Sequence, residues 1–149
     1  MRIAIVAVGR ARGGPVEGMV EGYLRQLPWP ARVVEVREEA ERPDRRRREG
    51  EALLRQVPEG ARVVALDRAG EAPDSEGFAR QVGRWRDSGV REVAFVLGGA
   101  DGLDEAVLAR ADHRLSLGPQ TWPHLLARVM LAEQLFRAAS ILDGHPYHR

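Results

Sequence analysis

Short apolar runs that stop at glycine, each followed by a helical pattern, recur along this chain, and few architectures can accommodate them. The clearest is Glu92–Leu97 (EVAFVL), which ends at Gly98-Gly99 and meets a helix start just beyond Gly102. Apolar runs of about four to eight residues bounded by glycine read as strands buried on both faces. The same reading predicts strands at Arg2–Val8, Arg32–Val36, Ala61–Leu66 and near His113–Leu117. A helix is predicted from Pro15, with Val16, Met19, Val20, Tyr23, Leu24 and Leu27 at helical spacing before Pro28 and Pro30 stop it. Asp74 or Ser75 caps another, in which Phe78, Val82 and Trp85 share one face, and a short one spans about Asp104 to Ala111. Strands alternating with helices imply the α/β class: a mostly parallel sheet flanked by helices on both faces. Such sheets place ligands at the carboxyl ends of their strands.

Length and composition narrow the rest. The 149 residues suit a single domain over 1–149, with no linker or internal repeat. A net charge of +1, from 23 basic and 22 acidic residues, gives no global attraction for nucleic acid, so any such contact must come from a local patch. All the basic residues are arginine, and without cysteine the chain has neither disulfides nor thiolate metal sites. No apolar run approaches the roughly 18 residues of a membrane span, so the expected location is the cytoplasm.

Arg37 to Glu51 is almost wholly charged and includes Arg45-Arg46-Arg47-Arg48. Nearby acids balance the arginines, so a solvated helix face is the expected reading. Contact with RNA phosphate is the alternative, tested by the salt slope of RNA binding after replacement of all four. The last strand leads into Gly118-Pro119-Gln120-Thr121-Trp122-Pro123, a loop stiffened by its prolines. A long helix from His124 to Leu142 follows, apolar on nearly every side. A helix of that kind is buried both in its own core and against a second subunit.

Two features invite chemistry. The turn Gly98-Gly99-Ala100-Asp101-Gly102 lets a ligand approach backbone, but it lacks the G-x-G-x-x-G spacing and follows the fourth strand, which argues against a dinucleotide-dependent oxidoreductase. The end of the chain, His145-Pro146-Tyr147-His148-Arg149, gathers two imidazoles, a phenol and a guanidinium without the spacing of a zinc site, so no metal is expected. It is good material for holding an acidic or anionic ring.

Four features together resemble one family: the strand ending in Gly98-Gly99, the segment Thr121-x-Pro123-His124-x-Leu126-x-Arg128, the helix Glu133-Gln134-Leu135-Phe136-Arg137-Ala138, and the terminal His145-Pro146-Tyr147-His148-Arg149. They are similar to the RlmH family, SPOUT-class methyltransferases acting on a pseudouridine of 23S rRNA. The likeness runs the length of the chain, from Val6-Ala7-Val8-Gly9 onward. It departs at Ala100, where proline is common, and at Trp122, where a smaller apolar side chain or phenylalanine is usual.

The resemblance implies a deep trefoil knot formed by about residues 92–142, an exception to the rule against knotted chains, with 143–149 as a tail. It implies S-adenosyl-L-methionine held by Leu66, Gly99, Gly118, Pro119, Gln120, Thr121, Trp122 and Pro123. It assigns catalysis to the tail: Tyr147 packs or hydrogen-bonds the base, His148 accepts or relays the N3 proton, and Arg149 stabilises the anion or binds phosphate. Family members are homodimers with a site built from both subunits, and their substrate is the assembled ribosome. The alternative is a non-catalytic RNA-binding or ribosome-assembly factor with the same fold, against which the intact tail counts.

Overall fold

A computed structural model describes residues 1–149. In chain order the elements are β1 (Arg2–Val8), α1 (Pro15–Leu24), β2 (Ala31–Val36), α2 (Arg45–Gln56), β3 (Arg62–Glu71), α3 (Ser75–Asp87), β4 (Glu92–Leu97), α4 (Glu105–Arg110), β5 (His113–Leu115) and α5 (His124–Leu142). The strands form one sheet in the order β2-β1-β4-β3-β5, and every pairing is parallel. The expected α/β architecture is present, and the sheet is wholly rather than mostly parallel.

Alternation along the strands divides the core in two. Ile3, Ile5, Val64, Val93 and Phe95 face α1, α3 and α5, whereas Ala4, Val6, Val63, Ala94 and Val96 face α2 and α4. Phe95 lies edge-on to both Phe78 and Trp85 of α3. Burying one such side chain contributes roughly 1.5–3 kcal/mol. At the start of α3, Asp74 accepts the Gly77 amide at 2.7 Å, a cap whose loss costs about 1 kcal/mol.

Three segments depart from the sequence reading. Asp67 to Gly70, past the predicted strand end at Leu66, belongs to β3. Leu66 and Glu71 both pair with Leu115, so the intervening residues bulge out and return. Glycine is required at position 70, because a Cβ there would lie 2.6 Å from the Arg114 carbonyl. The fifth strand stops at Leu115 instead of reaching Leu117: the Ser116 amide makes a last bond to the Glu71 carbonyl at 2.7 Å, and its hydroxyl turns to the loop beyond. The charged run is only partly a solvated face. Arg47 and Arg48 pair with neighbouring acids, but Arg45 is turned inward and Glu49 is 1% exposed.

One buried cation ties β1 to α5. The Arg128 guanidinium donates to the carbonyls of Val8 at 3.2 Å and Gly9 at 3.0 Å, and to the Glu35 carboxylate. Glu35 also accepts the Ala11 amide at 2.7 Å. The carboxyl end of β1 is thereby fastened to the first turns of α5, beside the loop that precedes that helix.

Candidate functional site: a three-loop cavity and a docked tail

The carboxyl ends of β3, β4 and β5 converge on a cavity of about 440 Å³. Its walls come from Leu66, Asp67 and Arg68, from the whole turn Gly98 to Gly102, and from Leu117, Gly118, Gln120, Thr121 and Trp122. Of the expected cofactor residues, Leu66, Gly99, Gly118, Gln120, Thr121 and Trp122 line it. Pro119 and Pro123 belong to the same loop without facing the space. Asp67, Arg68, Leu117, His124 and Ala127 were not anticipated. A strand ending beside an acidic and a basic residue was the available signal for the first two, but the bulge that brings them to the cavity is set by pairing to β5.

The glycines of the turn have reasons internal to the protein. A Cβ at Gly98 would stand 2.6 Å from the Gly102 carbonyl, because the turn folds back on itself and the Gly102 amide donates to the Gly99 carbonyl at 3.0 Å. A Cβ at Gly99 would meet Val8 at 3.0 Å and the Glu49 carboxylate at 3.2 Å. Close approach to a cofactor is the expected reason for these glycines; packing of the turn against its own far side, Val8 and α2 is a further reason that the fold itself supplies. Across this turn Arg45 donates two hydrogen bonds to Asp101, at 2.8 and 2.7 Å, a bidentate pair that holds the Asp101 carboxyl below the ordinary carboxylate range.

The third wall is pinned by a buried hydroxyl. Ser116 Oγ accepts the Gly118 amide at 3.0 Å and lies 3.0 Å from the Arg68 carbonyl and 3.1 Å from the Gly118 carbonyl, which share its one proton. Gly118, at φ +108°, takes a conformation that side chains disfavour. The bulged end of β3 and the loop before α5 are thus bonded through one serine. Arg68 Nη1 then reaches Thr121 Oγ1 at 3.4 Å over the cavity.

The tail lies elsewhere on the same chain. Tyr147 packs edge-on to Phe136 at 4.6 Å between centroids and donates to Glu133 at 3.1 Å, while Arg137 sits 4.8 Å over its ring. Burial first, and then the Glu133 carboxylate, push the Tyr147 phenol up, so at neutral pH it is a hydrogen-bond donor and not a base. Arg137 donates to His148 Nδ1 at 3.1 Å, which makes Nδ1 an acceptor and leaves the ring proton on Nε2, 3.8 Å from Glu76. Arg149 is exposed and donates to the Pro146 carbonyl at 3.3 Å. Tyr147 and His148 are therefore gathered on α5 and α3, Arg149 contacts only the tail itself, and none of the three lines the cavity of its own chain. No group of three or more His, Cys, Asp or Glu is placed to hold a metal, and no helix is long and apolar enough to cross a membrane.

Comparison with known proteins fits this geometry. The family model described as predicted SPOUT methyltransferase matches residues 1–148. The five-stranded parallel sheet with helices on both faces is consistent with that class and with the expected knot. A ribosomal RNA large subunit methyltransferase H of Rhodospirillum centenum is 52% identical over 151 residues, covering all of this chain and 99% of that one. Its counterpart in Rhizorhabdus wittichii is 47% identical over 149 residues with the same coverage. The chain belongs to the ribosomal RNA large subunit methyltransferase H family of SPOUT methyltransferases. Among solved structures, a probable methyltransferase from Bordetella pertussis Tohama I aligns at TM-score 0.60 and 19% identity over 93% of this chain and 96% of that one. A probable methylase family protein from Haemophilus influenzae Rd KW20 aligns at 0.58 and 14% over 99% and 70%. At those identities the likeness is one of fold.

Membership makes this chain a methyltransferase whose donor is S-adenosyl-L-methionine, and the cavity suits that molecule. Its volume lies within the roughly 300–1,000 Å³ of small-molecule sites, and Leu66, Leu97, Leu103, Leu115 and Leu117 give a purine apolar walls. Asp67 and Asp101 stand with Arg68 around the same space, opposite charges that match a zwitterionic amino acid carrying a further positive sulfonium.

Proposed function

We propose that this protein methylates N3 of a pseudouridine in 23S rRNA of the assembled ribosome. The reading is carried by one conjunction: full-length identity of 52% to a ribosomal RNA large subunit methyltransferase H, in a chain that keeps both the three-loop cavity and the complete Tyr147-His148-Arg149 end. When bound, S-adenosyl-L-methionine supplies a methyl carbon on sulfur that is transferred to nitrogen as the sulfur–carbon bond breaks. The protein's task is to hold donor and acceptor in line and to manage one proton, so positioning supplies most of the acceleration.

The imide nitrogen of pseudouridine carries a proton near neutral pH and must lose it. His148 is the residue proposed to accept it, since imidazole is the side chain suited to proton transfer at neutral pH. The contact of its Nδ1 with Arg137 means that His148 exchanges that partner for substrate when it acts. Tyr147, held as a phenol by burial and Glu133, packs against or donates to the base. Arg149, free at the surface, neutralises the developing imide anion or a neighbouring phosphate.

This division of labour is proposed to run across two copies of the chain, the tail of one protomer completing the cavity of its partner. Met19, Trp122 and Leu126 are large apolar side chains left 51%, 38% and 43% exposed, on or beside the α1 and α5 surfaces where a homodimer would close. Sedimentation at micromolar concentration should give a dimer, and a monomer would refute the shared site. The activity is tested by incubating the protein and S-adenosyl-L-methionine with ribosomes from cells lacking the endogenous enzyme. Nucleoside mass spectrometry should reveal methylated pseudouridine, and no methyl gain would favour a non-catalytic ribosome-assembly factor. A cytoplasmic location follows from a ribosomal substrate.

A further inference from the structure

Beneath the cofactor cavity lies an acid that the reaction does not use. Glu49, on the inward face of α2, is 1% exposed. Its Oε2 accepts the Glu39 amide at 3.1 Å, and its Oε1 has no hydrogen-bond partner. Both oxygens face Gly99, where a Cβ would come within 3.2 and 3.3 Å of them. One turn earlier on the same helix, Arg45 grips Asp101 at the outer end of the same turn. One residue later, Gly50 brings α2 so close to the start of α4 that a Cβ would stand 2.8 Å from Asp104. Three consecutive contacts of α2 thus bear on the segment Gly99 to Asp104, and Glu49 is the only one of them that is a buried ionisable group.

We infer that Glu49 is a positioning residue for the methyl donor: seated under Gly99 as an uncharged acid, it sets the height of the cavity floor, so cofactor affinity depends on a proton that never meets the cofactor. The inference rests on the cavity being the S-adenosyl-L-methionine site. The surroundings explain the sign. From its own helix Glu49 faces Arg45, from the loop before that helix it faces Glu38 and the Glu39 amide, and across the turn it faces Asp101. Arg45 is the one cation in reach; it is turned onto Asp101 by a bidentate pair and makes no hydrogen bond to Glu49. An ionised Glu49 would stand under Gly99 with a single backbone donor and with the Glu38 and Asp101 carboxylates nearby, which repels the turn from its seat. Burial, countered only in part by the Glu39 amide and Arg45, pushes the Glu49 carboxyl up, in agreement.

If the cofactor-competent turn requires the protonated acid, affinity is full below the Glu49 pKa and falls as pH rises through it. Isothermal titration of the intact protein with S-adenosyl-L-methionine from pH 5 to pH 9.5 should show the dissociation constant of the natural chain rising by about fivefold or more, the lower end of common coupling between sites. Glu49→Gln, which keeps the acceptor for the Glu39 amide and cannot ionise, should hold the low-pH affinity throughout that range. In the natural chain the Gly99 amide should follow the same midpoint in an NMR titration without cofactor, a measurement that needs no variant to fold. A Glu49→Gln profile that still falls with pH overturns the inference, as does a Gly99 amide that does not titrate. Absence of S-adenosyl-L-methionine binding by the natural chain at every pH overturns it together with the assignment of the cavity, which separates the two failures.

Discussion

At the cavity, main chain packs on main chain: a methyl group at Gly98 or Gly70 would lie 2.6 Å from backbone atoms, and the walls are closed by Ser116 and the Arg45–Asp101 pair. At the tail, beyond one main-chain bond from the His145 amide to the Ser140 carbonyl, side-chain contacts to Glu133, Phe136, Arg137 and Glu76 do the holding. Under the proposed function both regions serve one reaction, yet in a single chain they do not meet. The difference would separate the two tasks of a methyltransferase: a donor site whose shape is fixed by backbone, and a proton acceptor on a segment held by few contacts. Substitutions should therefore divide cleanly, cavity changes acting on binding and stability, tail changes acting on rate.

The largest expected effect tests that division at the tail. His148→Ala should lower the single-turnover rate of methyl transfer by about 10²–10⁴-fold, the range of a positioned acid–base group. Its affinity for S-adenosyl-L-methionine should be unchanged by calorimetry. A full rate across pH would remove His148 from its role, and a loss of cofactor affinity would mean that tail and cavity are not separable.

Gly98→Ala tests the other half. The added Cβ meets backbone, which cannot yield as a flexible side chain would, so overpacking should cost about 3 kcal/mol in denaturant unfolding and weaken cofactor binding with it. Gly102→Ala is the contrast within the turn: nothing lies within 4 Å of its Cβ, and only its φ of +77° opposes the change. An unfolding free energy for Gly98→Ala within 0.5 kcal/mol of the natural protein, the ordinary span of surface changes, would break the claim that backbone contact sets this wall.

The same asymmetry governs what the sequence disclosed. Strand and helix positions were legible because apolar periodicity is a local property, and α5 begins and ends at His124 and Leu142 as expected. The cavity was legible in part, since glycine and proline mark turns wherever they stand. What escaped was set by distant pairing. Asp67 and Arg68 reach the cavity because β3 bulges against β5, and Glu49 turns inward, out of an otherwise solvated run, because α2 packs on a turn fifty residues later. The tail was legible as chemistry and illegible as place, because nothing local in His145 to Arg149 says that Glu133 and Arg137 will hold it.

A pH experiment examines the scaffold behind the cavity. Burial pushes the Glu35 carboxyl up, but the Ala11 amide and the Arg128 guanidinium outweigh it and hold Glu35 below its ordinary value of 4.5. A lowered acid stabilises the fold above that ordinary value, and the contribution is lost as pH falls through the lower folded value. Arg128→Met keeps the buried stem and removes the charge. It should cost about 2 kcal/mol at pH 7, the scale of hydrogen bonds to a charged group, and flatten the loss of stability on the acid side. An acid limb as steep in Arg128→Met as in the natural protein would show that Glu35 owes its shift to other groups.

Tyr147→Phe is the smallest change and bears on the tail alone. The ring keeps its edge-on packing on Phe136 and its place under Arg137, and only the hydroxyl donated to Glu133 disappears. Loss of one partly exposed hydrogen bond is worth about 1 kcal/mol, a roughly fivefold shift toward the undocked tail. Glu133 keeps Arg137 as its partner at 2.7 Å, so no charge is left bare and global unfolding should not move. Amide exchange confined to residues 145–149 should quicken while that of Gly98 to Gly102 stays as before. If the turn quickened as well, the tail would be coupled to the cavity within one chain, and the separation of a backbone-built donor site from a side-chain-held acceptor arm would have to be given up.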